Sequence, residues 1–294
     1  MAENQYNRLV SIHFQGIHVD FSFLIGIIAT LALGGVAAKH QLLSEGGILA
    51  AILVGLTIFT FGGWNWFLIL AIFFVSASGF TRYRAKDKAE VNKEFAKGGV
   101  RDFWQVAANG ALAALLAMIN HYYFLNTLYF AFLGVVATVT ADTLSTEIGV
   151  LSDKAYLITT LKKVEKGVSG AVSWLGLSAA FLGSLAIGVL AYILSDLGSA
   201  YFKTPPVDPI LLIAIPTVAG LTGALIDSYL GATIQVMYWC PKCKKQTERE
   251  THKCGTRTVY HKGWKSINND TVNLLSSICG AIIGGGLYQL FKGF

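Results

Sequence analysis

The chain has 294 residues, of which 54% are hydrophobic and only 14% charged, and its mean hydropathy is +0.55. That composition excludes a soluble globular domain and leaves room for several membrane spans. The formal net charge of +6 fits anionic lipid head groups and phosphorylated substrates better than nucleic acid, because so apolar a chain presents its cations at a membrane surface.

The opening MAENQYNRLVSIHFQGIHVD lacks a basic leader followed by a short apolar core and a cleavage site, so the first span is expected to direct insertion. Hydropathy predicts an all-α polytopic integral membrane protein, a single helical domain over residues 1–294. Its eight spans fall at roughly 19–38, 46–62, 64–80, 103–120, 122–140, 169–194, 209–235 and 271–291. The second and third are divided only by Gly62-Gly63-Trp64-Asn65. If all eight cross, segments 39–45, 81–102, 141–168 and 236–270 share one side and carry 20 of the 23 Lys and Arg residues. Only Arg8, Lys203 and Lys292 remain for the other. The positive-inside rule then makes those four segments cytoplasmic and puts both termini outside. For a prokaryote the membrane would be the plasma membrane.

Segment 81–102 alternates its charges and reads as an amphipathic surface stretch. Its end differs: Arg101 and Asp102 stand directly before a span containing Gln105 and Asn109, an i, i+4 pair of amides on one helical face. An arginine followed by amides suits a phosphate better than lipid. The apolar run LYFAFLGVVA leads to Asp142, at a depth where an unpaired carboxylate costs a few kcal/mol or more. Asp142, Ser145 and Thr146 share a helical face, whereas Glu147 is about 140° away from Asp142 on a regular helix. Downstream, Thr159, Thr160, Lys162 and Lys163 precede Gly167, Ser169 and Gly170. Lysines followed by a Gly-Ser-Gly turn form an anion cradle at the entry to the next span. The P-loop order GxxxxGK[ST] is absent.

Tyr201 to Asp208, YFKTPPVD, is a turn signal. In the following span Gly223, Asp227, Gly231 and Gln235 recur every four residues, a small and polar stripe that should face the bundle. Segment 236–270 is a Cys-rich loop. Cys240 and Cys243 have metal-knuckle spacing, and His252 and Cys254 complete the candidate ligands of a structural Zn2+. Asn268, Asn269 and Asp270 read as caps of the last span, with Asn273 one turn further in.

Five ordered motifs, RDxxQVxANG at Arg101–Gly110, ADTLSTEIG at Ala141–Gly149, LITTLKKVEKGVSGAVSxxG at Leu157–Gly176, IDSYLGATIQ at Ile226–Gln235 and NNDTVN at Asn268–Asn273, resemble the membrane family called domain of unknown function 92. Transmembrane protein 19 and a chloroplast phytyl-phosphate kinase belong to that family. The resemblance runs from about residue 30 to the end. It implies a kinase that converts an isoprenyl monophosphate, of the phytyl or geranylgeranyl type, to the diphosphate with a nucleoside triphosphate, CTP being expected, and Mg2+. Asp142, Glu147 and Asp227 are then the expected Mg2+ ligands, with Lys162 beside them in the catalytic set. Arg101, Asp102, Asn109, Thr160, Lys163, Ser169, Gly170, Gln235, Asn269 and Asn273 are the expected phosphate and substrate contacts. Two other classes stay open at this stage, a transporter or flippase of an anionic lipid or solute and a lipid cytidylyltransferase or phosphotransferase.

Overall fold

A computed structural model describes residues 11–14, 17–88, 99–198 and 207–293. Most of the opening stretch 1–20, the amphipathic residues 89–98 and the turn at 201–206 lie outside them.

After a hairpin of β1 (Ser11–Phe14) and β2 (Ile17–Asp20), α1 covers Phe21–Lys39 and α2 Glu45–Arg82. At 1.5 Å per residue a continuous helix of α2's 38 residues would be about 57 Å long, nearly twice the hydrocarbon thickness. It does not run straight. Gly63 leaves helical geometry at φ 76, ψ −166, a region open to glycine because it lacks a Cβ. Arg82, at the far end of α2, donates from its guanidinium to the carbonyl of His40, just ahead of the helix's start. The two arms therefore fold back on each other. Phe59 and Phe67 consequently meet across the break with ring centroids 5.7 Å apart.

The short α3 (Ala85–Lys88) is followed by α4 (Phe103–Tyr123) and α5 (Asn126–Gly149). Beyond these come α6 (Trp174–Gly198), α7 (Pro209–Thr233) and α8 (Asn269–Phe291). Six helices among the described residues are long and apolar enough to cross a membrane. Dividing α2 at Gly63 and adding α1 yields eight apolar helical arms, the number expected from hydropathy. Large apolar side chains point outward on these arms, Ile28, Leu182 and Ile282 each more than 60% exposed. Such an inversion suits lipid as the solvent.

The centre of the bundle is α5, buried along nearly its whole length from Tyr129 to Ala141. Glycines let α6, α7 and α8 close on it. A Cβ at Gly134 would stand 2.2 Å from the Gly280 carbonyl, and one at Gly284 2.4 Å from the Phe130 carbonyl. Small residues replace the missing hydrophobic drive between helices with close van der Waals contact. At the Tyr129 end, Asn126 donates to the Tyr288 hydroxyl at 2.9 Å, and the Phe130 and Tyr288 rings stack at 4.4 Å.

The polar segments add β-structure to the helical fold. Strands β3 (Ala155–Leu157), β4 (Lys163–Val164) and β5 (Ala171–Val172) form an antiparallel sheet in the order β4-β3-β5. Strands β6 (Met237–Cys240), β7 (Lys245–Thr247) and β8 (Val259–Lys262) form a second, ordered β7-β6-β8. Helix α5 also runs nine residues past the expected limit at 140, so Asp142 to Glu147 are helical. The sixth helix begins at Trp174 rather than near 169, because the Gly-Ser-Gly turn leads into β5.

Candidate functional site

Three of the four polar segments, 81–102, 141–168 and 236–270, meet at one end of the bundle around a cavity of about 310 Å³. Its walls come from the ends of α4, α5, α6, α7 and α8, from the β3–β5 sheet, from Gln235 and Glu248 flanking the second sheet, and from Thr81 and Gly99 in segment 81–102.

Arg101 is clamped before α4 by its backbone. Its N–H donates to the Leu42 carbonyl at 3.1 Å, and its own carbonyl accepts from Ser44 N–H at 3.0 Å. Gly47 permits that approach, since a Cβ there would stand 2.4 Å from the Arg101 carbonyl. The guanidinium lines the cavity. Burial pushes its pKa below the ordinary value, and the Glu147 carboxylate offsets part of that shift. Asp102 and Gln105 form a capping box on α4, Gln105 N–H donating to Asp102 at 3.0 Å and Asp102 N–H to Gln105 Oε1 at 3.1 Å. Asp102 thus starts the helix, while Gln105 and Asn109 face the cavity.

Asp142 on α5 and Asp227 on α7 meet in the cavity, their side chains within hydrogen-bonding contact. Ser276 on α8 donates to Asp227 Oδ2 at 2.9 Å. Two carboxylates in contact repel unless a proton or a cation lies between them. Glu147 also borders the cavity but turns to another partner. Lys88 Nζ, 1% exposed, reaches Glu147 Oε2 at 2.5 Å and donates to the carbonyls of Phe80 and Thr81 at 2.7 and 3.1 Å. Because α5 is regular through this stretch, the 140° between Asp142 and Glu147 survives, and the two acids serve different neighbours.

Facing the aspartates is the turn Lys166 to Gly170. Gly167 and Gly170 have φ of +80 and +81, and a Cβ on Gly170 would stand 2.4 Å from Ala232. Among the described residues no protein acceptor takes the N–H of Gly167, Ser169 or Gly170, so these amides are available to an anion. Ser169 donates to Gln235 Oε1 at 2.9 Å, and Gln235 Nε2 donates to Glu248 Oε1 at 2.9 Å. On the opposite wall Asn269 and Asn273 line the cavity. Asn268 beside them is the N-cap of α8, accepting from Thr271 N–H at 3.0 Å.

Thr160 and Lys162 are exposed on the turn joining β3 and β4, and Lys163 is exposed at the start of β4, all three outside the cavity. The lysine in the wall is Lys166, 3.6 Å from Asp153. Sequence reasoning missed Lys88, Lys166 and Glu248. Lys166 was findable from its place beside Gly167, whereas nothing in its charge-alternating segment marks Lys88.

A second pocket, of about 80 Å³ and almost wholly apolar, lies between α1, the two arms of α2 and α4. It shares Arg101 and Asn109 with the polar cavity.

The model of the integral membrane protein family DUF92 matches residues 28–281. The chain belongs to the DUF92 family. Among its DUF92-like relatives, Protein PGR of Arabidopsis thaliana is 30% identical over 87% of this chain and 93% of its own length. A membrane protein of Methanocaldococcus jannaschii is 30% identical over 89% and 92%. Protein VTE6, chloroplastic, of Arabidopsis thaliana is 29% identical over 82% of this chain and 64% of its own length. No solved structure matches the chain. DUF92 membership and the outward apolar surface agree that this is an integral membrane protein.

Proposed function

We propose that this DUF92 protein is an isoprenyl-phosphate kinase, transferring a phosphoryl group from a nucleoside triphosphate to an isoprenyl monophosphate. The supporting observation is the junction at Arg101 and Asn109, where an apolar pocket among helices abuts a polar cavity lined by acids, amides and fixed cations. A prenyl tail fits the first environment and a phosphate head group the second. The family resemblance supplies phytyl or geranylgeranyl phosphate as the substrate type and CTP as the donor. The Lys and Arg asymmetry supports a cavity open to the cytoplasm.

An oxygen of the monophosphate attacks the γ-phosphorus, a new P–O bond forms, and the β–γ bridging bond breaks to release nucleoside diphosphate. The attacking oxygen is already ionised near neutral pH, so the work is alignment and charge neutralisation rather than proton abstraction. In this reading Arg101 and Lys166 neutralise phosphate oxygens, and the Gly167, Ser169 and Gly170 amides bind them. Asn109, Asn269 and Asn273 orient the head group, while Gln235 holds Ser169 in position. Lys162, Lys163 and Thr160 meet anions only at the outer rim.

Asp142 and Asp227 offer hard carboxylate oxygens, a donor set that fits Mg2+, and their contact across α5 and α7 is relieved by a bound cation. They are the residues that would hold Mg2+, whose charge would neutralise the polyphosphate. Glu147, paired with Lys88, would act from outside that set.

The test is phosphoryl transfer by the purified protein in detergent, with labelled geranylgeranyl or phytyl monophosphate and CTP, ATP, GTP or UTP, with and without Mg2+. Diphosphate and nucleoside diphosphate are the expected products. Pyrophosphate release would indicate a cytidylyltransferase instead, and no product from folded protein would favour transport.

A further inference from the structure

The segment between α7 and α8 contains a cluster that the phosphoryl-transfer reading does not use. Cys240 ends β6, and Pro241-Lys242-Cys243-Lys244 turns the chain into β7. Lys244 takes the left-handed conformation, φ 53, and its N–H donates to the Cys240 carbonyl at 2.8 Å. The Cys243 N–H donates to Cys240 Sγ at 3.4 Å. A second tight turn, closed by His252 N–H to the Thr256 carbonyl at 3.0 Å and by Gly255 at φ +81, brings up His252 and Cys254. The four potential ligand atoms all lie within 4.8 Å of one another.

We propose that Cys240, Cys243, His252 and Cys254 form a structural Zn2+ site that fixes the β6–β8 sheet, whose flanking residues Gln235 and Glu248 line the polar cavity. The Cys240 and Cys254 sulfurs are 3.7 Å apart, far beyond the about 2.05 Å of a disulfide. Tetrahedral Zn2+ with arms of about 2.3 Å needs sulfurs about 3.8 Å apart. Three thiolates and an imidazole select Zn2+ over the hard, oxygen-loving Mg2+. The three strands have four residues or fewer each, too little to support a core of their own, and small folds of this size are commonly stapled by metal.

The staple bears on the cavity through short links. Gln235, 2% exposed, precedes β6 by two residues and bonds both Ser169 and Glu248. Glu248 directly follows β7. Lys262, the last residue of β8, donates to the Ala232 carbonyl at 2.6 Å at the end of α7. Fixing the sheet therefore fixes the Ser169–Gln235–Glu248 chain.

The experiment is elemental analysis and Co2+ exchange on the full chain purified in detergent, neither of which depends on substrate or turnover. One Zn2+ per chain is expected, lost in Cys243→Ser and retained in Cys279→Ser, whose sulfur lies on α8. His252→Cys should keep the stoichiometry, so metal loss cannot be laid to any change in the loop. Its Co2+ form should show thiolate charge-transfer bands shifted from those of wild type. Removing the metal should speed amide exchange across residues 235–250. Substoichiometric zinc with Cys240, Cys243 and Cys254 all open to alkylation, or full zinc in Cys243→Ser, would overturn the site. Unchanged exchange on metal removal would overturn its role in the cavity wall.

Discussion

Asp142 and Asp227 touch side chain to side chain across α5 and α7, with Ser276 donating to Asp227 at 2.9 Å. Two acids in contact inside a helical bundle are an electrostatic expense that packing does not require. Asp142→Asn and Asp227→Asn should therefore fold at least as well as wild type in Mg2+-free buffer. Wild type should gain thermal stability as Mg2+ is added, because a ligand that binds only the folded state stabilises it. Either variant should lose that gain and about 10²–10³-fold in kcat. Melting curves with and without Mg2+, beside turnover, check both halves. A variant that keeps its Mg2+-dependent shift removes that residue from the metal set.

Lys88 carries a different expectation. Its ammonium, 1% exposed, bonds the carbonyls ending the second arm of α2 and ion-pairs Glu147 at 2.5 Å. Removing one partner of a buried pair strands the other and costs about 3–5 kcal/mol. Lys88→Met should cost about that amount, at the lower end because Glu147 keeps some solvent access. The double variant with Glu147→Gln should recover much of the loss. A thermodynamic cycle by thermal unfolding decides it, and purely additive losses would mean the pair contributes nothing.

The central packing yields a paired comparison. Gly134→Ala drives a methyl group into the Gly280 carbonyl, whereas a Cβ at Gly286 on the same face-to-face pair of helices meets nothing within 4 Å. Overpacking against backbone costs about 1–3 kcal/mol, and replacing a helical glycine by alanine in open space gains up to about 1 kcal/mol. Gly134→Ala should lower Tm, and Gly286→Ala should hold or raise it.

These residues show what the sequence exposes. Eight arms were legible because lipid demands long apolar runs, and Gly62-Gly63 was legible as a break because only glycine accepts the Gly63 backbone. Asp142 and Asp227 stood out because acids in apolar runs are costly. That Asp142 meets Asp227 and not Glu147 follows partly from helical phase, but the partner on α7 is a tertiary fact. Lys88 was hidden because a lysine in an alternating-charge segment looks solvated, and only the fold turns it back onto the end of α2. The sheet β7-β6-β8 was hidden because its strands are too short for a period, so the segment read as cysteines alone and Glu248 went unseen.

The lysines of the LKKVEKG stretch separate by geometry. Lys162, on the turn between β3 and β4, and Lys163, at the start of β4, lie outside the cavity, whereas Lys166, 37% exposed, borders it beside the Gly167 amide, which no protein acceptor among the described residues takes. A cation acts on a transferring phosphoryl group chiefly at close range, so position at the cavity decides between these lysines. Lys166→Met should thus lower kcat/KM by about tenfold or more. Lys162→Met and Lys163→Met should stay within about threefold, with their effect vanishing at high salt as expected of screened surface charges. Initial rates for the three variants at low and high ionic strength test the assignment. A larger, salt-insensitive loss in Lys162→Met than in Lys166→Met would return the catalytic role to the hairpin.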